Sequence, residues 1–176
     1  MTTKRFLVAL IAAAAAAVSA ADTTAPAVGS TAPEVMLTNN EGKLTTLAEY
    51  RGKWVVLYFY PKDFTSGCTL EARNFQRDIK KYEAANAVIL GVSVDTAQSH
   101  KDFCAKEGLS FKLLSDPDAS VSKTYGSVME YEGKTLSARN TFLIDPQGRI
   151  VKEFIGVKVP SHSDEVLAAL ADLSKK

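Results

Sequence analysis

Residues 53–75 read KWVVLYFYPKDFTSGCTLEARNF, and the other segments of the chain take their places from them. Trp54 to Tyr60 is an unbroken apolar and aromatic run, the pattern of a strand covered on both faces. Pro61 lacks a backbone N–H and stops such a strand. A helix is expected from about Ser66 to Glu83, capped by Thr65 or Ser66, with Leu70, Phe75, Ile79 and Tyr82 on one face. Cys68 then sits in the first helical turn, where free N–H groups and the positive end of the helix dipole favour a thiolate. The thiolate is the reactive form, so Cys68 is a candidate nucleophile rather than a core filler.

Before this stretch, Val35 to Leu37 and a return strand from Leu44, joined across Asn39-Asn40-Glu41-Gly42, predict an edge hairpin. Leu47 to Arg51 can form one helical turn. After it, Ala87 to Val94 is a second buried-strand candidate. Gln98 to Glu107 follows as a short helix holding Phe103 and Cys104, with Gly108 as its C-cap. A strand at Leu113-Leu114, a helix over Ala119–Tyr125, and a hairpin of Val128–Tyr131 with Lys134–Leu136 come next. Thr141–Ile144 and Ile150–Ile155 flank the turn Asp145-Pro146-Gln147-Gly148. A last helix, His162–Leu173, turns Val166, Leu167, Leu170 and Leu173 inward. Tyr58 and Tyr60 are assigned to the core, and His100 and His162 to solvent. Strands alternating with helices imply an α/β layered domain with a mixed sheet. No glycine-rich phosphate loop follows either buried strand, and Gly67 alone does not make one.

The first residues have the three parts of a secretory signal: Lys4 and Arg5, an apolar run Phe6–Val18, and small residues at Val18-Ser19-Ala20. That run is shorter than the roughly 20 residues of a membrane span, so no stable membrane anchor is expected. Residues 1–21 are assigned as a signal peptide cut after Ala20 or Ala21, and residues 22–176 as one domain. Loss of Lys4 and Arg5 leaves 19 basic against 20 acidic residues, a net charge of −1, which speaks against a nucleic-acid partner. The expected destination is extracytoplasmic, a bacterial periplasm or its equivalent. There an even pair of cysteines, Cys68 and Cys104, means a disulfide, either static or opened and closed in catalysis. The two histidines show no ligand-pair spacing for zinc.

The segment Pro61 to Cys68, a proline, three residues, a threonine, two residues and a cysteine, resembles the active-site signature of the peroxiredoxins. FYPKDFTSGCTLEARNF is similar to the Q-type, or bacterioferritin-comigratory, class, and LLSDPD at 113–118 and RNTFLIDPQGRI at 139–150 extend the likeness over residues 28–174. The resemblance implies a thioredoxin-like fold with the N-terminal hairpin as an extension, and reduction of hydrogen peroxide and alkyl hydroperoxides by a thiol without cofactor or metal. It makes Cys68 the peroxidatic cysteine, Thr65 its hydrogen-bonding partner, Arg139 the facing cation, Pro61 the shield of the pocket, and Gly67 a source of backbone N–H for peroxide. Some members carry the second cysteine five residues after the first, where this chain has Arg73. Cys104 matches the alternative placement and becomes the resolving cysteine, giving an intramolecular disulfide, a thioredoxin-like protein as reductant, and a monomer able to complete the cycle. Glu71 is either a partner of Arg139 or a surface charge. Two other classes share parts of this pattern. A thioredoxin-like disulfide oxidoreductase would want a Cys-x-x-Cys pair that is absent here. An exported binding domain would use the cysteine pair only as a staple.

Overall fold

The structure is a computed structural model that describes residues 24–175, so the expected signal peptide, residues 1–21, lies outside the described residues. An N-terminal hairpin of β1 (Met36–Asn39) and β2 (Leu44–Thr46) leads through a 3-10 turn at Leu47–Tyr50 into β3 (Trp54–Phe59). Then come α1 (Ser66–Arg77), α2 (Ile79–Ala84), β4 (Ala87–Ser93), α3 (Ala97–Glu107), β5 (Lys112–Ser115) and α4 (Ser120–Thr124). A second hairpin, β6 (Val128–Tyr131) with β7 (Lys134–Ser137), precedes β8 (Thr141–Ile144), β9 (Ile150–Phe154) and α5 (His162–Leu173).

The unbroken apolar run of β3 has a simple cause. Alternate side chains of a strand enter opposite faces, and here both faces are core. Val56, Tyr58 and Tyr60 join one buried cluster with Phe75, Tyr82, Phe103, Val166 and Leu170 from the helices. Val55, Leu57 and Phe59 join the other with Leu90, Val92, Tyr125, Phe142 and Ile144. β3 lies inside a seven-stranded sheet of order β2-β1-β5-β4-β3-β8-β9, parallel to β4 and antiparallel to β8. β4 and β5 are also parallel, whereas β1 pairs antiparallel with β5 and so attaches the N-terminal hairpin to the sheet. The hairpin β6–β7 stands apart as a sheet of its own.

Two expectations are corrected. The single helix over 66–83 is broken at Asp78, which caps the end of α1 and the start of α2. Its buried carboxylate accepts from Arg77 at 2.5 Å, Lys81 at 2.8 Å and the Ser163 hydroxyl at 2.9 Å, a set that pins the break to α5. The Arg77 contact leads the effects that hold this carboxyl well below the usual carboxylate range. Leu70 faces solvent, not the core, because the buried stripe of α1 runs through Cys68, Glu71, Ala72 and Phe75. The predicted C-cap at Gly108 is present: its backbone is left-handed, φ 67°, and its N–H donates to the Cys104 carbonyl. Among the described residues no helix is long and apolar enough to cross a membrane.

Candidate active site

β3 ends at Phe59, one residue short of the expected Tyr60, and the loop from Pro61 to Thr65 carries the chain from the sheet into α1. Thr65 occupies the N-cap with an extended backbone, φ −76° and ψ 150°, but its hydroxyl makes no cap bond. It donates instead to the Lys62 carbonyl at 3.0 Å, tightening the loop. Cys68 is the third residue of α1, among the N–H groups that lack intrahelical acceptors. Its side chain is buried, 2% exposed.

Arg139, in the connection from β7 to β8, reaches this helix start. Its Nη2 donates to Cys68 Sγ at 3.3 Å, and its Nη1 donates to Glu71 Oε2. Gly67 lies against the same guanidinium, since a Cβ there would stand 3.4 Å from Nη2. A Cβ at 67 would thus lie in contact with Arg139, the cation that touches the thiol among the described residues. Glu71 is buried, and burial is the main cause that pushes its carboxyl up to about 7, with Arg139 pulling the other way. Burial works against the charge on Arg139, but Glu71 and Cys68 outweigh it and raise the guanidinium further. Glu71 is therefore the partner that fixes Arg139, not a surface charge. The sequence left these two roles open because nothing local to Glu71 shows a cation 68 residues away.

Pro61 and Thr65 stand at the rim of the site. Both line a groove of about 370 Å3 whose opposite wall is the β6–β7 hairpin, through Met129, Tyr131 and Leu136. Cys104, on α3, belongs to the same buried cluster as Cys68, and both thiols are free. Burial, with Asp63 adding to it, pushes the Cys104 thiol up to about 12. The two cysteines thus face opposite surroundings: one meets a cation and a helix N-terminus, the other an apolar core.

Both histidines are buried, contrary to expectation. His162 Nε2 lies 2.9 Å from the Thr141 hydroxyl, with the ring edge-on to Phe75 and Phe154. Burial lowers it from the ordinary value to about 4, so it is neutral. His100 Nδ1 lies 2.9 Å from Asp63 Oδ2, which ties α3 to the loop before Cys68. The stretch Ser99-His100-Lys101 reads as polar, but the four-residue step from His100 to Cys104 places both on the buried face of α3. That step was the signal in the sequence. Tyr58 and Tyr60 are buried as expected, although Tyr60 also donates to Asp63 at 2.7 Å.

Residues 28–153 match the AhpC/TSA family. A peroxiredoxin Bcp of Xanthomonas campestris is 42% identical over 147 residues, 81% of this chain and 92% of that protein. One from Bacillus subtilis is 40% identical over 153 residues, 85% of this chain and 98% of that protein. Among solved structures, a cysteine-to-serine variant of the Xylella fastidiosa peroxiredoxin Q superposes with a TM-score of 0.79 at 39% identity, covering 84% of this chain and 97% of that one. The fold is accordingly thioredoxin-like. Sheet order, helix-start thiol, facing arginine and relatives agree, and this chain belongs to the AhpC/TSA family as a peroxiredoxin of the Bcp/Q type, a thiol peroxidase.

Proposed function

We propose that the chain is an exported two-cysteine peroxidase in which Cys68 reduces a hydroperoxide and Cys104 then closes an intramolecular disulfide. The observation that carries this reading is the 3.3 Å contact from Arg139 Nη2 to Cys68 Sγ at the start of α1. The Cys68 thiolate attacks one peroxide oxygen, and the O–O bond breaks. Sulfur is oxidised by two electrons to a sulfenic acid, and the departing oxygen takes a proton and leaves as water or an alcohol. Negative charge grows on that oxygen, and the Arg139 guanidinium with the N–H groups of Gly67 and Cys68 is preorganised to meet it. Thr65 and Pro61 shape the approach to the sulfur from the groove. Its apolar wall suits the organic part of an alkyl hydroperoxide, and a Xanthomonas bacterioferritin comigratory protein is described as reducing alkyl peroxides.

In the second step the Cys104 sulfur attacks the sulfenic sulfur, an S–S bond forms and water leaves. Solved variants of the Xanthomonas peroxiredoxin Q replace by serine one or the other of two cysteines 36 positions apart, the spacing of Cys68 and Cys104. Burial that suppresses the Cys104 thiolate must be relieved first, so α1 or α3 unwinds locally before the bond closes. A dithiol protein of the thioredoxin type then supplies two electrons and restores both thiols. Residues 1–21 direct export, and residues 22–176 work as a monomer, since both cysteines lie on one chain.

The test is one equivalent of hydrogen peroxide added to the reduced chain, followed by mass mapping. A Cys68–Cys104 disulfide is expected, with peroxide loss abolished in Cys68→Ser. In Cys104→Ser a single turnover should survive while thiol-driven cycling stops. Unchanged cycling in Cys104→Ser removes the resolving role. Peroxide loss that does not need Cys68 removes its peroxidatic role.

A further inference from the structure

Asp63 lies five residues before Cys68 in the loop, and His100 lies one helical turn before Cys104 on α3. Their side chains meet out of contact with solvent: His100 is 0% exposed and Asp63 3%. His100 Nδ1 is 2.9 Å from Asp63 Oδ2, within hydrogen-bond distance. The same oxygen accepts from the Ser99 hydroxyl at 2.7 Å, and Asp63 Oδ1 accepts from the Tyr60 hydroxyl at 2.7 Å. On its far side His100 Nε2 faces the Leu114 carbonyl at 3.2 Å on β5. The Asp63 N–H donates to Asp95 Oδ2 at 2.8 Å. Next to it Phe64, at φ 62°, rests edge-on against Phe103 with centroids 5.1 Å apart. None of these contacts involves Cys68 or Arg139. They join the two segments that carry the two free thiols.

We propose, building on the resolving role assigned to Cys104 above, that the Asp63–His100 pair is a latch that sets how fast oxidised Cys68 is captured. While the latch is closed, α3 stays helical and Cys104 stays buried. Opening it frees the loop and the first turns of α3 together, exposes Cys104 and lets the S–S bond form with loss of water. A buried network satisfied in this way resists partial opening, because each freed group is left unpaired in a low-dielectric surrounding. The cluster therefore opens as a unit, and resolution waits for it. During that wait the sulfenic acid is exposed to a second peroxide, which carries it to sulfinic acid. Latch strength thus sets how much peroxide the enzyme tolerates. Asp63 and His100 are positioning residues, since they act through the loop and the helix rather than on the peroxide.

Rapid-quench mass analysis of the full chain after one equivalent of hydrogen peroxide follows thiol loss at Cys68 and disulfide formation separately. In His100→Leu the ratio of the disulfide rate to the thiol-loss rate is expected to rise about tenfold, equivalent to about 1.4 kcal/mol in the opening equilibrium. Its sulfinic acid yield in excess peroxide should fall. His100→Asn, whose amide N–H can still reach Asp63, should keep the ratio within about threefold of the parent. A ratio unchanged or lowered in His100→Leu, or both rates falling together, overturns the latch and leaves His100 a folding residue. Should His100→Leu fail to fold, Ser99→Ala, which removes one donor at the edge of the cluster, carries the test. There a rise of about threefold supports the latch and an unchanged ratio overturns it. A parent protein that never forms the disulfide overturns the resolving role itself, and the latch with it.

Discussion

Arg139 touches the reacting sulfur with one nitrogen and Glu71 with another, so its position and its charge cannot be varied separately. Arg139→Gln removes the donor aimed at the developing charge and is expected to slow peroxide consumption about 10²-fold, measured by competition against a reporter peroxidase. Arg139→Lys should recover little, because a single ammonium does not span both partners. Two buried groups also oppose each other in pH. Unfolded His162 takes its proton near 6.5, but folded His162 refuses it until about 4, so stability is lost as pH falls through that interval. Glu71 keeps its proton to about 7 when folded and releases it near 4.5 when unfolded, so stability is lost as pH rises. Each slope amounts to about 3 kcal/mol across its window, at about 1.4 kcal/mol per unit. Urea unfolding of the parent should be nearly flat between pH 4.5 and 6.5. His162→Phe should expose the Glu71 slope and lose stability as pH rises. A flat profile in that variant would show that Glu71 does not titrate as described.

The elements were largely legible in the sequence, because β3, β4 and the terminal helix are declared by their own periodicity. What stayed hidden depends on distant partners. The break at Asp78 is held in part by Ser163, 85 positions away, a partner that no local signal shows. Leu70 faces solvent because the buried stripe of α1 contains a glutamate, which hydrophobic periodicity does not count. Gly91 is a further case: it looks like a weak point in a strand, yet it pairs with Tyr58 across β3 and β4. A methyl there would stand 2.6 Å from Leu113 Cδ2 and 2.7 Å from Tyr58 Cζ. Gly91→Ala should therefore cost about 1–3 kcal/mol, read as a thermal midpoint lower by on the order of 5 °C.

For the whole molecule, the reactive thiol could be found from its place at a helix start, and the resemblance supplied Arg139 from a segment 71 residues away. The choice between the two roles of Glu71, and the Asp63–His100 pair, could not be reached in either way, since each is decided by burial and a partner on another element. The near-neutral charge and the placement of both cysteines on one chain lead to a prediction at this scale. Expressed with its first residues in an exporting host, the protein should yield a mature mass beginning at Ala21 or Asp22. Size-exclusion chromatography should show a monomer in both the reduced and the oxidised form. An uncut mass or a redox-dependent dimer would contradict these assignments.

The proposed Cys68–Cys104 disulfide would carry a polarity, set by the unequal surroundings of its two sulfurs. When a reductant thiolate attacks an S–S bond, the sulfur better able to carry negative charge departs. In the reduced fold, to which the chain returns, Arg139 and the start of α1 offer the Cys68 sulfur that accommodation, whereas the core around Cys104 disfavours it. In the proposed cycle the incoming thiolate would thus be steered to the Cys104 sulfur. The transient cross-link between enzyme and reductant would form on α3, and Cys68 would be released beside Arg139.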